Sequence, residues 1–203
     1  SLPNLPAQIE FCRRAEESGI DSLLTDFGFS KPDSIVLTAA LGMATEKIKF
    51  IVAYRSGLLG PTIFVQQLNT LSALIKGRFS LNIVAGHSPE EQRYYGDFLS
   101  HDERYARTEE FLSICHALWK RNGNVTFTGK YYQVENARLN IPFISSDRTF
   151  PEIFIGGSSP PAEKLAINQG TCWMRIADAP ARVREAIQPA LAAGIEVGMR
   201  MAI

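Results

Sequence analysis

The chain has no surplus of either charge: Lys and Arg together number 21, and so do Asp and Glu. This balance excludes the broad basic field that draws proteins onto nucleic acid or anionic lipid, so a charged ligand must be met by a few local groups. Cysteine is scarce and odd in number. Cys12, Cys115 and Cys172 lie far apart, without a zinc spacing, and are expected as reduced, mostly buried thiols of a cytoplasmic protein, with no metal site. No run approaches the about 20 apolar residues of a membrane span. The opening "SLPNLPAQIEF" lacks both the basic segment and the apolar run of a signal peptide. A dinucleotide fingerprint is also missing, because the turn after the first candidate strand is "DFGFSKPDS" rather than G-x-G-x-x-G.

What is present is a chain of 203 residues with 45% apolar content, enough for one substantial core. Short apolar runs alternate with amphipathic segments. Residues 3 to 18 carry Leu5, Ile9, Phe11, Cys12 and Ala15 near helical spacing and stop at Gly19, as a glycine-capped helix does. Asp33 can cap a helix whose apolar face holds Ile35, Val36, Ala39, Ala40 and Met43. "PTIFVQQLNTLSALI" opens with a proline suited to a first helical turn. Further helices are expected from about Glu103 to Arg121 and over 160–168 and 180–193. Strands are expected at 22–25, 48–54, 79–84, 152–156, 171–176 and 196–202, each a nearly continuous apolar run of the parallel type. "NVTFTGKYYQV" alternates around a Thr-Gly-Lys turn, which is hairpin chemistry and marks an insertion at about 122–150.

Six βα units suit either a doubly wound sheet or a (β/α)8 barrel. Without the dinucleotide fingerprint the barrel is the better solution. A complete barrel takes eight units and about 250 residues. The expected fold is therefore a single α/β domain over 1–203, TIM-barrel-like but incomplete, with about six βα units plus a hairpin insertion. Its first strand and last elements are expected to lie outside this chain or to have been lost from it.

In "PEIFIGGSSPPAEKLA", Gly156, Gly157, Ser158 and Ser159 follow a strand and open a helix. Backbone N–H groups and two hydroxyls there make a compact anion site, although a tight turn with a serine cap needs the same residues. Asn82 and Val84 alternate along their strand and share a face. Ala53, Tyr54 and Arg55 end another strand at the rim where barrel sites are built, and Ala53 leaves room for a planar ring. Arg200 stands inside "VGMRMAI", where an unpaired guanidinium is costly to bury, so it calls for an anion, a polar cavity or a carboxylate such as Asp26.

"IKFIVAYRSGLLGPTIFVQQLNTLSALIKGRFSLNIVAGHSPEEQRYYGDFLSHDERYARTEEF", followed by "GKYYQV", "PEIFIGGSS" and "GMRMAI", resembles the luciferase-like flavin monooxygenases, most nearly their alkanesulfonate monooxygenase branch. The similarity runs from about residue 8 to 203. It implies a (β/α)8 barrel with an insertion that uses reduced FMN, supplied by an NAD(P)H-dependent flavin reductase, and O2 to oxidise a small organic molecule. In the sulfonate branch a carbon–sulfur bond is split to give an aldehyde and sulfite. The resemblance further implies that Gly157, Ser158 and Ser159, with His87 and Tyr105, meet the FMN phosphate. Ala53, Asn82 and Val84 lie against the flavin ring. Arg200 becomes the candidate catalytic residue, gripping a sulfonate or the oxygen-bearing flavin. Arg55 and Lys31 are candidate substrate-binding cations, and the charged segment after His87, with Gly96, is a candidate cover.

The substrate half departs from the sulfonate branch. Lys31 stands where those relatives carry a cysteine, Ala177 near their tryptophan, and Ala202 where they carry a histidine. Two other readings therefore stay open: a non-catalytic flavin-binding protein of this fold, and a deazaflavin-dependent reductase. The family's habit of pairing through early helices implies a homodimer, with "TIFVQQLNTLSALI" as one surface.

Overall fold

Capping chemistry decides where the helices begin and end. A computed structural model describes residues 4–86 and 88–200. In it α1 (Leu5–Glu17) starts behind Asn4, whose side chain accepts from the Ala7 N–H, and the chain leaves it through Gly19 at φ +79°. The strand β1 (Ser22–Thr25) leads to α2 (Ser34–Met43), capped as expected by Asp33 accepting from the Val36 N–H. β2 (Lys49–Arg55), α3 (Pro61–Leu74) and β3 (Phe79–Val84) follow. A short helix, α4 (Pro89–Tyr94), precedes the long α5 (His101–Lys120), which opens on a complete capping box between Ser100 and Glu103. The hairpin β4 (Val125–Thr128) and β5 (Gln133–Ala137) interrupts the βα rhythm where the sequence pattern placed it. β6 (Ile153–Gly156), α6 (Pro160–Gln169) and β7 (Cys172–Ile176) restore it, and α7 (Pro180–Ala186), α8 (Gln188–Ala192) and β8 (Glu196–Arg200) end it. The single helix expected over 180–193 is two, divided at Ile187. Pro189 has no N–H for the carbonyl four residues back.

Six strands form one curled parallel sheet in the order β1-β2-β3-β6-β7-β8, a half-barrel that matches the incomplete TIM barrel expected. Its two faces differ. Phe50, Val52 and Tyr54 of β2, Leu81 and Ile83 of β3, Ile153 and Ile155 of β6 and Trp173 of β7 lie under the helices and are almost wholly excluded from water. Burial of each aliphatic or phenylalanine side chain among them contributes about 1.5–3 kcal/mol. Tyr54, Phe64 and Phe111 stack through this layer, with centroids 4.2 Å apart for the first pair and 5.0 Å for the second. The alternate residues turn inward, where the parallel register sets Ala53 beside Asn82 and Arg55 beside Val84. Gly156, Met174, Gly198, Ile176 and Arg200 continue that concave face. Cys12, Cys115 and Cys172 are free and buried, as expected.

Candidate functional site at the carboxyl rim of the sheet

The β6–α6 turn is shaped by glycine. Gly157 has φ +132°, and a Cβ there would come within 2.9 Å of both Tyr105 Oη and Ala162 Cβ. Two hydrogen bonds tie it to β7: its N–H donates to Met174 O (3.2 Å), and Trp173 Nε1 donates to its carbonyl (2.8 Å). Ser159 is the N-cap of α6 but makes no side-chain capping bond; its buried Oγ lies beside the Tyr105 hydroxyl without a well-formed hydrogen bond among the described residues. Pro160 and Pro161 carry no N–H, and that of Gly157 is committed. The turn therefore offers an anion fewer amides than its position suggests, and the hydroxyls of Ser158, Ser159 and Tyr105 carry more of the load. Burial pushes the Tyr105 phenol up, which keeps it a proton donor, while the neighbouring Ser159 hydroxyl and Arg104 pull it partly back.

Beside this turn the concave face carries one amide among mostly small and apolar residues. A Cβ on Gly156 would lie 3.4 Å from both Asn82 Oδ1 and Val84 Cγ1, so these two side chains share the inner face as their alternation implied. Asn82 Oδ1 is buried and has no hydrogen-bond partner among the described residues. Leaving such an acceptor unpaired costs about 1–3 kcal/mol, which a ligand donor at this point would recover. Ala53 lies next to Asn82 across the β2–β3 ladder, with its carbonyl accepting from Ser34 Oγ at 2.6 Å.

Arg55 reaches the same rim, buried, with Nη2 3.1 Å from Glu91 Oε1. Its guanidinium packs against the paired rings of Phe27 and Tyr95, 5.1 and 5.5 Å from their centroids. Glu91 Oε1 also accepts from the Phe29 N–H, and Phe29 packs on Tyr94. The segment holding α4 is thus clasped onto the loop after β1. Arg55 Nε and Nη1 and both polar atoms of the buried Gln92 lack partners among the described residues. Arg107 pairs with Asp97 at 2.6 Å, whereas Arg104 meets only carbonyls. Among the described residues, Arg55 and Arg107 are thus paired with carboxylates at this rim and Arg104 is not.

The structure brings Ala53, Asn82, Val84, Tyr105, Gly157 and Ser159 into one neighbourhood, with Ser158 exposed at its edge. His87 lies outside the described residues. Lys31 is exposed and faces Asp26 at 3.9 Å. Arg200 is exposed in β8 and not buried as its apolar strand suggested, and Asp26 faces Lys31. Arg55 reaches the rim with its charge paired to Glu91. The helix α4, Glu91, Gln92 and the arginines of α5 were not anticipated. "SPEE", a serine cap followed by proline and two glutamates, carries a helix-start signal that would have found α4.

Elsewhere, a groove of ≈ 250 Å³ lies at the far end of α5, lined by Leu118, Arg121 and Asn140 among others, away from the rim. Among the described residues no helix is long and apolar enough to cross a membrane.

A family model described as "Luciferase-like monooxygenase" matches residues 2–200. Among solved structures, the EDTA monooxygenase EmoA from Chelativorans sp. BNC1 is 24% identical, with a TM-score of 0.84 over 98% of this chain and 57% of its own. An F420-dependent secondary alcohol dehydrogenase, solved with an F420-acetone adduct, is 24% identical at TM-score 0.80, over 98% of this chain and 64% of its own. The oxygenating constituent of 3,6-diketocamphane monooxygenase from the CAM plasmid of Pseudomonas putida, in complex with FMN, is 23% identical at 0.75, over 95% and 58%. This chain thus spans less than two thirds of each of these proteins. Its half-barrel superposes on theirs, its sequence satisfies the family model almost end to end, and on that match it belongs to the luciferase-like monooxygenase family.

Proposed function

We propose that the chain forms the flavin-holding part of an FMN-dependent monooxygenase of a two-component system, acting on a small organic substrate with reduced FMN and O2. The observation that carries this reading is the convergence of Gly157, Ser159 and Tyr105 on one side of a concave face bearing Ala53, Asn82 and Val84. The cradle suits a planar polar ring with an anionic tail: glycines permit close approach, Asn82 Oδ1 awaits a donor, and the hydroxyls of Ser158, Ser159 and Tyr105 can donate to a phosphate. His87 is assigned to the same phosphate on the resemblance alone.

Bound reduced FMN supplies the electrons that activate O2. The protein's share is to fix the ring against β3, to exclude water with the α4 segment clasped through Glu91, and to hold positive charge at the rim. Arg200 is the proposed catalytic cation, free to turn toward an anionic group because it is exposed. Lys31 and Arg55 are proposed substrate cations, and Arg55 can serve only if Glu91 is displaced. An alkanesulfonate or related organosulfur compound is the proposed substrate class. A cytoplasmic location, an NAD(P)H-dependent flavin reductase as electron source, and a homodimer belong to the same reading. The dimer surface is the α2–α3 face, where Val36, Met43, Ile63 and Leu74 are exposed.

The second reading, a deazaflavin-dependent reductase, is favoured by the likeness to the F420-dependent dehydrogenase. A third, a flavin carrier without turnover, uses the same cradle. Anaerobic titration with reduced FMN, oxidised FMN and a deazaflavin separates them. Tighter binding of reduced than oxidised FMN supports the monooxygenase, and oxygen-dependent consumption of sulfonates then tests the substrate. Preference for deazaflavin supports the reductase, equal FMN affinities favour the carrier, and no binding at all overturns the flavin reading.

A further inference from the structure

The first turns of α5 reach three successive strand ends. Arg107 Nη2 donates to Ser56 O at 3.0 Å, its guanidinium packs on Gly57, and Thr108 bonds the Ser56 hydroxyl, so these residues hold the turn after β2. Tyr105 stands against Gly157 in the turn after β6. Between them Arg104, buried, collects carbonyls: Nε donates to Ala85 O (3.0 Å), Nη2 to Gly86 O (3.4 Å) and Nη1 to Leu99 O (2.7 Å). Ala85 and Gly86 continue β3 directly beyond Asn82 and Val84. Gly86 has φ +81°, and the point its Cβ would occupy lies within 3.1 Å of Arg55 Nε and within 2.9 Å of Gln92 Nε2.

Arg104 has a counterpart at the opposite end of the sheet. Arg78, just before β3, donates from Nη1 to Ile48 O (2.6 Å) and from Nη2 to Gly42 O (2.6 Å) and Thr45 O (3.0 Å). Both side chains bond three carbonyls with a planar fork that lysine lacks. Arg78 does so far from the cradle, where closing the α2–β2 connection is sufficient explanation. Arg104 does so beside it, on the backbone that carries the unpaired Asn82.

We propose that Arg104 is a positioning residue for the ring half of the flavin site. By holding the Ala85 and Gly86 carbonyls it fixes the end of β3, and with it the inward aim of Asn82 and Val84, while its neighbour Tyr105 serves the phosphate half. This rests on the flavin reading above. Because the two residues are adjacent on one helix but address different turns, their effects separate by ligand.

The test compares Arg104→Gln, Arg104→Lys, Tyr105→Phe and Arg78→Gln by melting temperature, by dissociation constants for FMN and for riboflavin, which lacks the phosphate, and by amide exchange. Arg104→Gln is expected to weaken FMN and riboflavin by the same factor, on the order of tenfold for lost charge-assisted bonds. It should also speed exchange at 85–86 and leave that at 56–57 unchanged. Arg104→Lys falls between wild type and Arg104→Gln and serves if the latter does not fold. Tyr105→Phe weakens FMN alone, and Arg78→Gln lowers the melting temperature without moving either constant. If the Arg104 variants behave as Arg78→Gln does, or weaken FMN but not riboflavin, the proposal is overturned. Should wild type bind no flavin, the proposed function falls on that result alone. Exchange at 85–86 then decides whether Arg104 holds the turn, and unchanged exchange there overturns that as well.

Discussion

Adjacent glycines in the β6–α6 turn should fail in opposite ways when given a methyl group. At Gly157 an alanine must adopt φ +132°, a region that costs a non-glycine residue about 1–3 kcal/mol. Its Cβ would also overlap Ala162 Cβ and Tyr105 Oη at 2.9 Å. Overpacking of that kind adds about 1–3 kcal/mol, and the turn cannot yield freely because Trp173 and Met174 hold both sides of its peptide. Gly157→Ala should therefore lose about 2–6 kcal/mol in urea unfolding. At Gly156 the backbone is ordinary and the new methyl would touch Asn82 and Val84 at 3.4 Å, a normal contact. Gly156→Ala should hold stability within about 1 kcal/mol. That methyl would stand on the concave face where the ring is proposed to lie, weakening flavin by about 5- to 150-fold for a 1–3 kcal/mol overlap. Urea midpoints and flavin titration on both variants suffice. Equal stability of the two refutes the crowding at Gly157, and undiminished flavin affinity of Gly156→Ala refutes the placement of the ring.

Glu91→Gln leaves the buried Arg55 charge without its partner; with Glu91 partly exposed, a loss of about 2 kcal/mol and faster amide exchange at both 27–29 and 89–95 are expected. Glu16, whose carboxylate accepts from the Ile48, Lys47 and Glu46 N–H groups, is held below its ordinary value of 4.5 chiefly by the Ile48 and Lys47 bonds. Its contribution is therefore full above that value and is lost as pH falls through the lowered one. Glu16→Gln should melt below wild type near neutral pH and converge with it in acid, as thermal scans across pH will show. Phe64→Ala should cost about 3–5 kcal/mol in chemical denaturation, since Phe64 is fully buried between Tyr54 and Phe111. Arg200→Ala, on an exposed strand end, should change stability by less than about 0.5 kcal/mol while abolishing turnover if it is the catalytic cation. Retained turnover removes it from that role.

The six strands were legible because the helix-covered face of each is apolar and their inward residues are also mostly apolar, so each reads as a continuous run. Gly19, Asp33 and Pro61 marked helix ends through backbone chemistry that acts within a few residues. The division of α7 from α8 was missed although Pro189 signals it, because the apolar spacing continues across the break. Side-chain partners were less accessible. Nothing local to Arg55 announces Glu91, which arrives from a helix 36 positions on, and the two are joined only once the loop after β1 and the α4 segment fold over the same rim.

Arg200 shows the same limit from the other side. An arginine within an apolar strand reads as buried, yet Arg200 is exposed in β8. The cost of burying a charge depends on what lies beyond the strand, which strand composition does not contain. Asn82 is the contrasting case, an uncharged amide on a central strand whose acceptor is buried and has no partner among the described residues. An exposed charge can be explained by solvent, whereas a buried acceptor between β2 and β6 with no partner among the described residues cannot. The physical case for a ligand on this face therefore rests more on Asn82 than on any of the cations, and Asn82→Leu sharpens it. Removing the unpaired acceptor should hold or raise stability in urea while flavin affinity falls, and a loss of both would place Asn82 in the core rather than in the site.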